Sequence, residues 1–440
     1  MSATASLPPG PRLHPLLQTA AFMLRGARFL ESVHRRYGDA VTLQTVFDEQ
    51  FVMLFDPTLV REVFQGSAEN LHAGEANALL GPILGQRSVL LLDESEHLRH
   101  RRLMLPPFHG QRMLAHVETM RAAADAEIDA WPVGEPFTML ETMQSLTLRI
   151  ILRAVFGYQA GAAEDELRRR LRAMVDPLGQ RRALMMVSAL VRGRGNRRAA
   201  RAFEARKAAV DEILFAEIAR RRAEPELKTR DDVFSALLLA RDEEGEGLTD
   251  AEIRDELLTL LLAGHETTAT GLAWTFDLLL HDARVAAQAA EGEDRYLDAV
   301  VKESLRLRPV IAGVGRVVRQ EPFRINGYEV PVGTEINPSI RTIHRRADLY
   351  PQPGRFLPER FLGSGPPDTY TWVPFGGGTR RCLGASFALM EMRVVLARVL
   401  ERCTLSAVDD DRATAQFRMI TLAPKGGVRV RQERPPRPAP

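Results

Sequence analysis

Phe375-Gly376-Gly377-Gly378-Thr379-Arg380-Arg381-Cys382-Leu383-Gly384 is the stretch on which the reading of this chain turns. Glycine loses more backbone freedom on folding than any other residue, so three in a row imply that something needs a bare backbone there. Cys382 follows that loop and precedes a helical pattern from about 384 to 402. Its sulfur is thereby placed at a helix N-terminus, where the dipole and free N–H groups favour thiolate, and Arg380 adds positive charge close by. This is the setting of a metal ligand or a nucleophile; the alternative, a buried inert Cys, would not require it. Cys403 lies within the same helical run and reads as core. With two Cys in 440 residues, a disulfide framework is not expected, and a reducing cytoplasmic setting is.

Upstream, residues 94–310 carry apolar residues three and four apart and are read as mostly helical. Thr249-Asp250-Ala251-Glu252 is a capping box, and the pattern after it runs to about Leu280, roughly 45 Å at 1.5 Å per residue. Mid-helix stand Ala263-Gly264-His265-Glu266-Thr267-Thr268. Gly weakens a helix interior by about 1 kcal/mol against Ala, and a Thr hydroxyl can bond back to a preceding carbonyl and bend the helix. A distortion beside an acid and a hydroxyl suggests a site for a small ligand and water. A helix that tolerates Gly at a packing contact is the other reading of the same residues.

The remainder sets the fold class. Val41–Val46 and Gln50–Phe55 are short β-rich runs around Asp48-Glu49, and Asp56-Pro57 caps and opens a helix. Residues 66–93 lack a clear period and are read as a long loop with one short helix. Asn326-Gly327 is a strong hairpin signal. Gly- and Pro-rich coil covers 351–380, and the last strands lie near Thr421 and Val428–Val430. The expectation is one mainly α domain with small β-sheets (α+β) over residues 13–430. A Pro-rich extension (1–12, with Leu7-Pro8-Pro9-Gly10-Pro11) precedes it, and a disordered tail (431–440) follows. Composition agrees: 45% hydrophobic and 26% charged residues suit a large core. The balance of 59 basic against 57 acidic residues argues against nucleic-acid binding. No membrane anchor or signal pattern opens the chain.

The residues Phe375, Gly378, Arg380, Cys382 and Gly384 match Phe-x-x-Gly-x-Arg-x-Cys-x-Gly, and in this the chain resembles the cytochrome P-450 monooxygenases of the soluble bacterial type. The resemblance implies a P-450 fold with haem b between the long mid-chain helix and the Cys382 helix. It makes the Cys382 thiolate the axial ligand of the iron, pushing electron density onto it to favour O–O cleavage. Ala263–Thr268 resembles the family's oxygen-activation motif. By that resemblance Thr267 hydrogen-bonds the dioxygen and Glu266 relays protons through water, the two being catalytic. His265 fills a variable position and has no assigned role.

Other sites follow from the same likeness. Glu303-x-x-Arg306 would be a weak surface pair if isolated. The resemblance buries it and adds Arg360, from Pro358-Glu359-Arg360-Phe361, as a third, structural partner. His97-x-x-x-Arg101, Arg316 and Arg380 are expected to bind the haem propionates. Leu258, Leu262, Ala263 and Gly264 are expected at the distal, substrate-binding pocket. Residues 70–90, 170–200 and Ile311–Val314 would set substrate choice, with Met174, Leu178, Met185 and Met186 as a flexible cover or, on the plainer reading, core. Arg99, Arg102 and Arg112 form a basic surface for an acidic electron donor. The chain stops soon after the haem region, so the donor is a separate ferredoxin or flavodoxin with its NAD(P)H-dependent reductase. Asn77–Gly110 looks like a branch that includes fatty-acid and terpene hydroxylases, so a lipophilic small molecule is the expected substrate, hydroxylated or epoxidised by a cytoplasmic monomer. A peroxide-driven peroxygenase and a non-catalytic haem- or lipid-binding protein are the alternatives. The intact Glu266-Thr267 pair counts against both.

Overall fold

The protein is described by a computed structural model covering residues 7–46, 50–108, 110–158, 161–175, 197–363 and 368–439, with the backbone alone at Gln111, Arg112 and Arg197. The helices that position the site are α1 (Pro15–Tyr37), α2 (Pro57–Gln65), α3 (Glu94–Met104), α4 (Val117–Ile128), α5 (Met139–Phe156), α6 (Ala162–Val175), α7 (Arg197–Arg222), α8 (Asp250–Leu280), α9 (Asp294–Leu307) and α10 (Ala385–Arg402). Their starts follow local chemistry. Asp56 accepts a hydrogen bond from Thr58 N at 2.8 Å to begin α2, with Pro57 at the first position. At α8 the capping box forms in full: Thr249 Oγ1 accepts from Glu252 N, and Glu252 accepts from Thr249 N at 2.7 Å.

Small sheets border this helical body. β1 (Ala40–Leu43), β2 (Phe51–Leu54), β3 (Leu71–His72), β5 (Arg316–Val318) and β8 (Glu335–Pro338) form one sheet in the order β1-β2-β8-β5-β3. β1 pairs antiparallel with β2 (Ala40 opposite Leu54), and β2 pairs parallel with β8. β6 (Phe323–Ile325) and β7 (Tyr328–Val330) meet through Asn326 (φ 50°) and Gly327 (φ 76°), the left-handed pair that a two-residue hairpin needs. β10 (Ala415–Arg418) and β11 (Thr421–Pro424) make a second hairpin. β4 (Pro136–Thr138), β12 (Arg429–Gln432) and β9 (Leu405–Ala407) make a three-stranded sheet.

Two expectations are revised. The stretch 66–93 holds strand β3 and the short helical pieces Ala73–Ala76, Ala78–Leu80 and Gly81–Leu84, because its Ala and Leu side chains pack in place rather than along one helix face. The last residues are tied down, at least to Arg437. Gln432 is fully buried in β12, Glu433 N donates to Thr404 O at 2.9 Å, and Arg437 N donates to Arg402 O at 2.9 Å. The Pro-rich start also docks, with Thr42 donating to the carbonyls of Pro8 and Pro9. No helix among the described residues is long and apolar enough to cross a membrane.

The main core joins α4, α5, α8, α9 and α10, and Met174 of α6 lies in it fully buried, as the plainer reading has it. Leu178, Met185 and Met186 lie outside the described residues. Below α9 sits the three-membered charge network. Arg306 donates to Glu303 at 2.6 and 2.8 Å, and Arg360 Nε reaches Glu303 Oε1 at 3.4 Å. Glu303 and Arg306 are fully buried. The pair tolerates burial because every direction is used: Arg306 also donates to the carbonyls of His344, Pro353 and Arg355, and Leu357 N donates to Glu303. The network thus ties α9 to the coil that leads into the Cys382 loop.

Arg306→Leu leaves Glu303 buried without its main partner. The expected loss is about 3–5 kcal/mol, read as a fall in the urea midpoint at unchanged slope; a change under about 1 kcal/mol, the worth of an exposed pair, would contradict the account.

Candidate active site

The Cys382 loop is built against α2. Gly378 has φ +64°, and a Cβ there would sit 1.9 Å from Phe64 O; at Gly377 a Cβ would meet the Phe64 ring at 2.3 Å. The bare backbone therefore lets the loop lie on the end of α2. Cys382 N donates to Phe375 O at 3.0 Å, which folds the loop back on itself two residues before the Gly384 cap of α10. Cys382 is an exposed residue of the loop, while its thiol is ringed by protein atoms. That surrounding burial pushes the thiol up, while the Gly384 N–H, Arg101 and Arg381 pull it down. So the cations facing the sulfur are Arg101 and Arg381, not Arg380 as the spacing suggested.

Arg380 turns the other way. It pairs with Asp93 at 2.5 Å, beside His97. His97 is buried in α3, and its ring is held down to about 3, first by burial and then by Arg380, Arg101 and Arg316. Its Nδ1 is buried without a hydrogen-bond partner. Arg316 is buried too, pushed down to about 10 by burial and by Arg380, with its guanidinium over the Phe64 ring at 5.5 Å. Arg101 donates to Arg381 O at 2.7 Å, anchoring α3 to the loop. All four predicted propionate residues therefore converge, with Asp93 as their close counter-charge. An orphaned imidazole nitrogen among three guanidinium groups fits a group with two carboxylates, as haem has.

The other wall is α8. It is buried almost throughout from Ile253 to Leu279, yet Ala263 is exposed and Leu262, Gly264, Glu266 and Thr267 are partly so. Leu258, expected at the pocket, is fully buried in the core one turn before the partly exposed Leu262. Gly264 packs on α5, where a Cβ would stand 3.0 Å from Ile151 Cδ1, so the packing reading of this Gly holds as well. Thr267 Oγ1 donates back to Ala263 O at 2.6 Å. His265 is buried and bonds Leu261 O, a structural position. Glu266 is held from two sides. Gln144 of α5 donates to Oε2 at 2.5 Å. Arg418 of β10 lies 3.1 Å from Oε1, near enough for charge pairing though not aligned as a hydrogen bond.

Gln144, Arg418 and Asp93 were not legible as site residues. Each is remote in sequence from the group it holds and carries no local motif. The basic surface is also reduced. Arg99 is spent inside the chain, donating to Asp242 at 2.7 Å and to Gly247 O. Arg102 stays exposed near Glu243, and the Arg112 side chain lies outside the described residues.

A sequence profile described as Cytochrome P450 matches residues 8–429. The chain is 40% identical over 444 residues to the putative cytochrome P450 135B1 of Mycobacterium tuberculosis, covering 98% of this chain and 93% of that one. It is 42% identical to the putative cytochrome P450 137 of the same species, covering 93% and 86%. Among solved structures, retinoic acid-bound cyanobacterial CYP120A1 superposes with TM-score 0.81 at 22% identity, covering 98% of this chain and 100% of that one. The cytochrome P450DA heme domain does so with TM-score 0.81 at 23% identity, covering 98% and 99%. The chain belongs to the cytochrome P450 family. It is a haem monooxygenase, an oxidoreductase whose haem is held by a cysteine thiolate and which works with O2 and redox partners.

Because the His97 ring sits near 3 in the fold and about 6.5 when unfolded, the unfolded chain binds a proton that the fold excludes between those values. The contribution is present above about pH 6.5 and is lost as pH falls toward 3. Haem-free protein is expected to lose urea resistance over that window, less steeply in His97→Gln; identical pH slopes in the two proteins would show that His97 is not held neutral.

Proposed function

We propose that this chain is a haem b monooxygenase of lipophilic small molecules, with Cys382 as the axial ligand and His97, Arg101, Arg316 and Arg380 as the propionate site. The convergence of those four side chains, from three distant segments, at the loop that carries an accessible Cys is the observation that supports it most. Haem bound there supplies O2 activation and one-electron chemistry, tuned by its thiolate ligand.

The chain's own groups supply binding, orientation and protons. Gly384 N–H and Arg101 stabilise negative charge on the Cys382 sulfur. On the α8 side, Leu262, Ala263 and Gly264 offer an apolar surface to a substrate. Thr267 holds its proton toward Ala263 O and can turn it to an acceptor in the site. Glu266 carries a second proton position, and Gln144 and Arg418 restrain where its carboxylate can swing. Substrate oxidation consumes two protons per O2, so an acid–hydroxyl pair beside the opening in α8 suits the reaction. Apolar lining and the Asn77–Gly110 resemblance favour fatty-acid-like or terpene-like substrates. Electrons come from a separate ferredoxin or flavodoxin with its reductase, docking by Arg102. Neither Cys is in a disulfide, in keeping with a cytoplasmic setting.

Two substitutions test the reading. Cys382→Ser is expected to abolish the long-wavelength carbon monoxide Soret band of thiolate-ligated haem; retention of that band would remove Cys382 from the iron. Thr267→Ala is expected to keep that band and the rate of reductant use but to divert most of the electrons away from product. Product per reductant equal to wild type would remove Thr267 from proton delivery.

A further inference from the structure

Three guanidinium groups face one another beside the β10–β11 hairpin, and no carboxylate is bonded to any of them. Arg308 caps the end of α9, while Arg341 and Arg345 lie on and just after the short helix Ile340–Ile343. All three are partly buried. Burial first, then Arg345 and Arg308, push Arg341 down to about 10. Arg308 is lowered in the same way by burial and by Arg345, and Arg345 by burial foremost. Asp277 acts on Arg308, and Glu31 of α1 on the other two, in the opposite direction. Neither acid closes to an ion pair with them among the described residues.

The donors are under-used as well. The Nε atoms of Arg308 and Arg345 are buried without a hydrogen-bond partner. Arg308 Nη2 reaches Ala413 O at 3.4 Å and Arg345 Nη2 reaches Leu307 O at 3.5 Å, both at the outer limit of bonding. The Arg341 guanidinium bonds nothing among the described residues. Buried charged donors in a folded chain are normally answered by a partner.

A half-open cleft of about 190 Å³, its mouth included, lies at this place. Arg308 and Arg341 line it, and the rest of the lining is apolar, with Trp274, Pro309, Ala415 and Leu422 among it. Its enclosed part has room for about one water-sized group. The walls are fixed. Trp274 Nε1 donates to Leu422 O at 2.8 Å, Leu422 N donates to Val310 O at 2.7 Å, and the Arg308 guanidinium lies over the Trp274 ring at 4.8 Å.

Charge and size choose the occupant. A cation is repelled, an apolar group leaves the N–H donors unpaired, and a neutral polar group leaves the guanidinium groups repelling one another. An oxyanion removes both defects, because its oxygens accept from the guanidinium fork and its charge offsets the cluster. We propose that Arg308 and Arg341, backed by Arg345, bind a small oxyanion, a phosphate or a carboxylate, between the end of α9 and the β10–β11 hairpin. One oxygen occupies the enclosed part and the remainder of the group stays at the open mouth. The hairpin that forms one wall also carries Arg418, the partner of Glu266, so a bound anion ties that hairpin to α9. The site is additional to the monooxygenase reading and stands or falls separately from it.

The test uses the full chain loaded with haem, whose propionates answer the His97 cluster. It is titrated by calorimetry with inorganic phosphate and, separately, with acetate at fixed ionic strength. Saturable binding of one anion per chain is expected. Arg341→Gln is expected to weaken it roughly tenfold or more, as loss of a charge-assisted contact does. Arg341→Lys, which keeps the charge without the fork, should lose less. With neither phosphate nor acetate added, Arg341→Gln is expected to melt no lower than wild type, with an unchanged carbon monoxide spectrum, because no group of the chain answers Arg341. Binding of phosphate alone identifies the ligand as a phosphate ester, of acetate alone as a carboxylate, and of both as an oxyanion read by its charge. Binding of neither overturns the proposal. So does unchanged affinity in Arg341→Gln, which would place the anion elsewhere. A lower melting temperature of Arg341→Gln without added anion would show that the chain itself satisfies this guanidinium, and the proposal would fall.

Discussion

Like charges held together are the constraint around which this molecule is arranged. His97 and Arg101 on α3, Arg316 on β5 and Arg380 in the Cys382 loop face one another with Asp93 as close counter-charge. Burial first, and repulsion after it, drive His97 far down and depress Arg316 and Arg380. A fold maintains such a cluster only if rigid elements hold it and an anionic group relieves it. The rigid elements are visible: the Gly377–Gly378 approach to Phe64, the Arg101 bond to the loop, and the Glu303–Arg306–Arg360 network that anchors the coil leading in.

The long helix α8 supplies the other half of the site by failing to be buried at one place. Core contacts surround it except near Ala263, where the helix opens beside a back-bonded Thr267. Gly264 serves two ends there, close packing on Ile151 and freedom from a side chain next to the opening. Glu266 is the most constrained group on this face, restrained by α5 through Gln144 and by the C-terminal hairpin through Arg418. The position of the Glu266 carboxylate and that of the hairpin are therefore mechanically linked.

Much of this was readable before any coordinates. The capping box at Thr249 and the helix to Leu280, the Asp56-Pro57 start and the Asn326-Gly327 hairpin are local signals, and each formed as such. The errors have a common cause. Leu258 was placed by its neighbourhood in sequence, but the packed core covers it completely. Arg99 was counted as free surface charge until Asp242 came across to meet it. The end of the chain looked frayed because nothing local shows that β12 pairs with β4 and β9.

By itself the sequence determined the family, the candidate iron ligand and the helix that carries the acid and hydroxyl, because those depend on residue types at fixed short spacings. Only the tertiary structure decided which cation faces the sulfur, which groups restrain Glu266, and that Arg308 and Arg341 line one cleft. Those are matters of through-space distance and exposure between segments far apart in the chain, and no local period or motif encodes which surface another segment will cover.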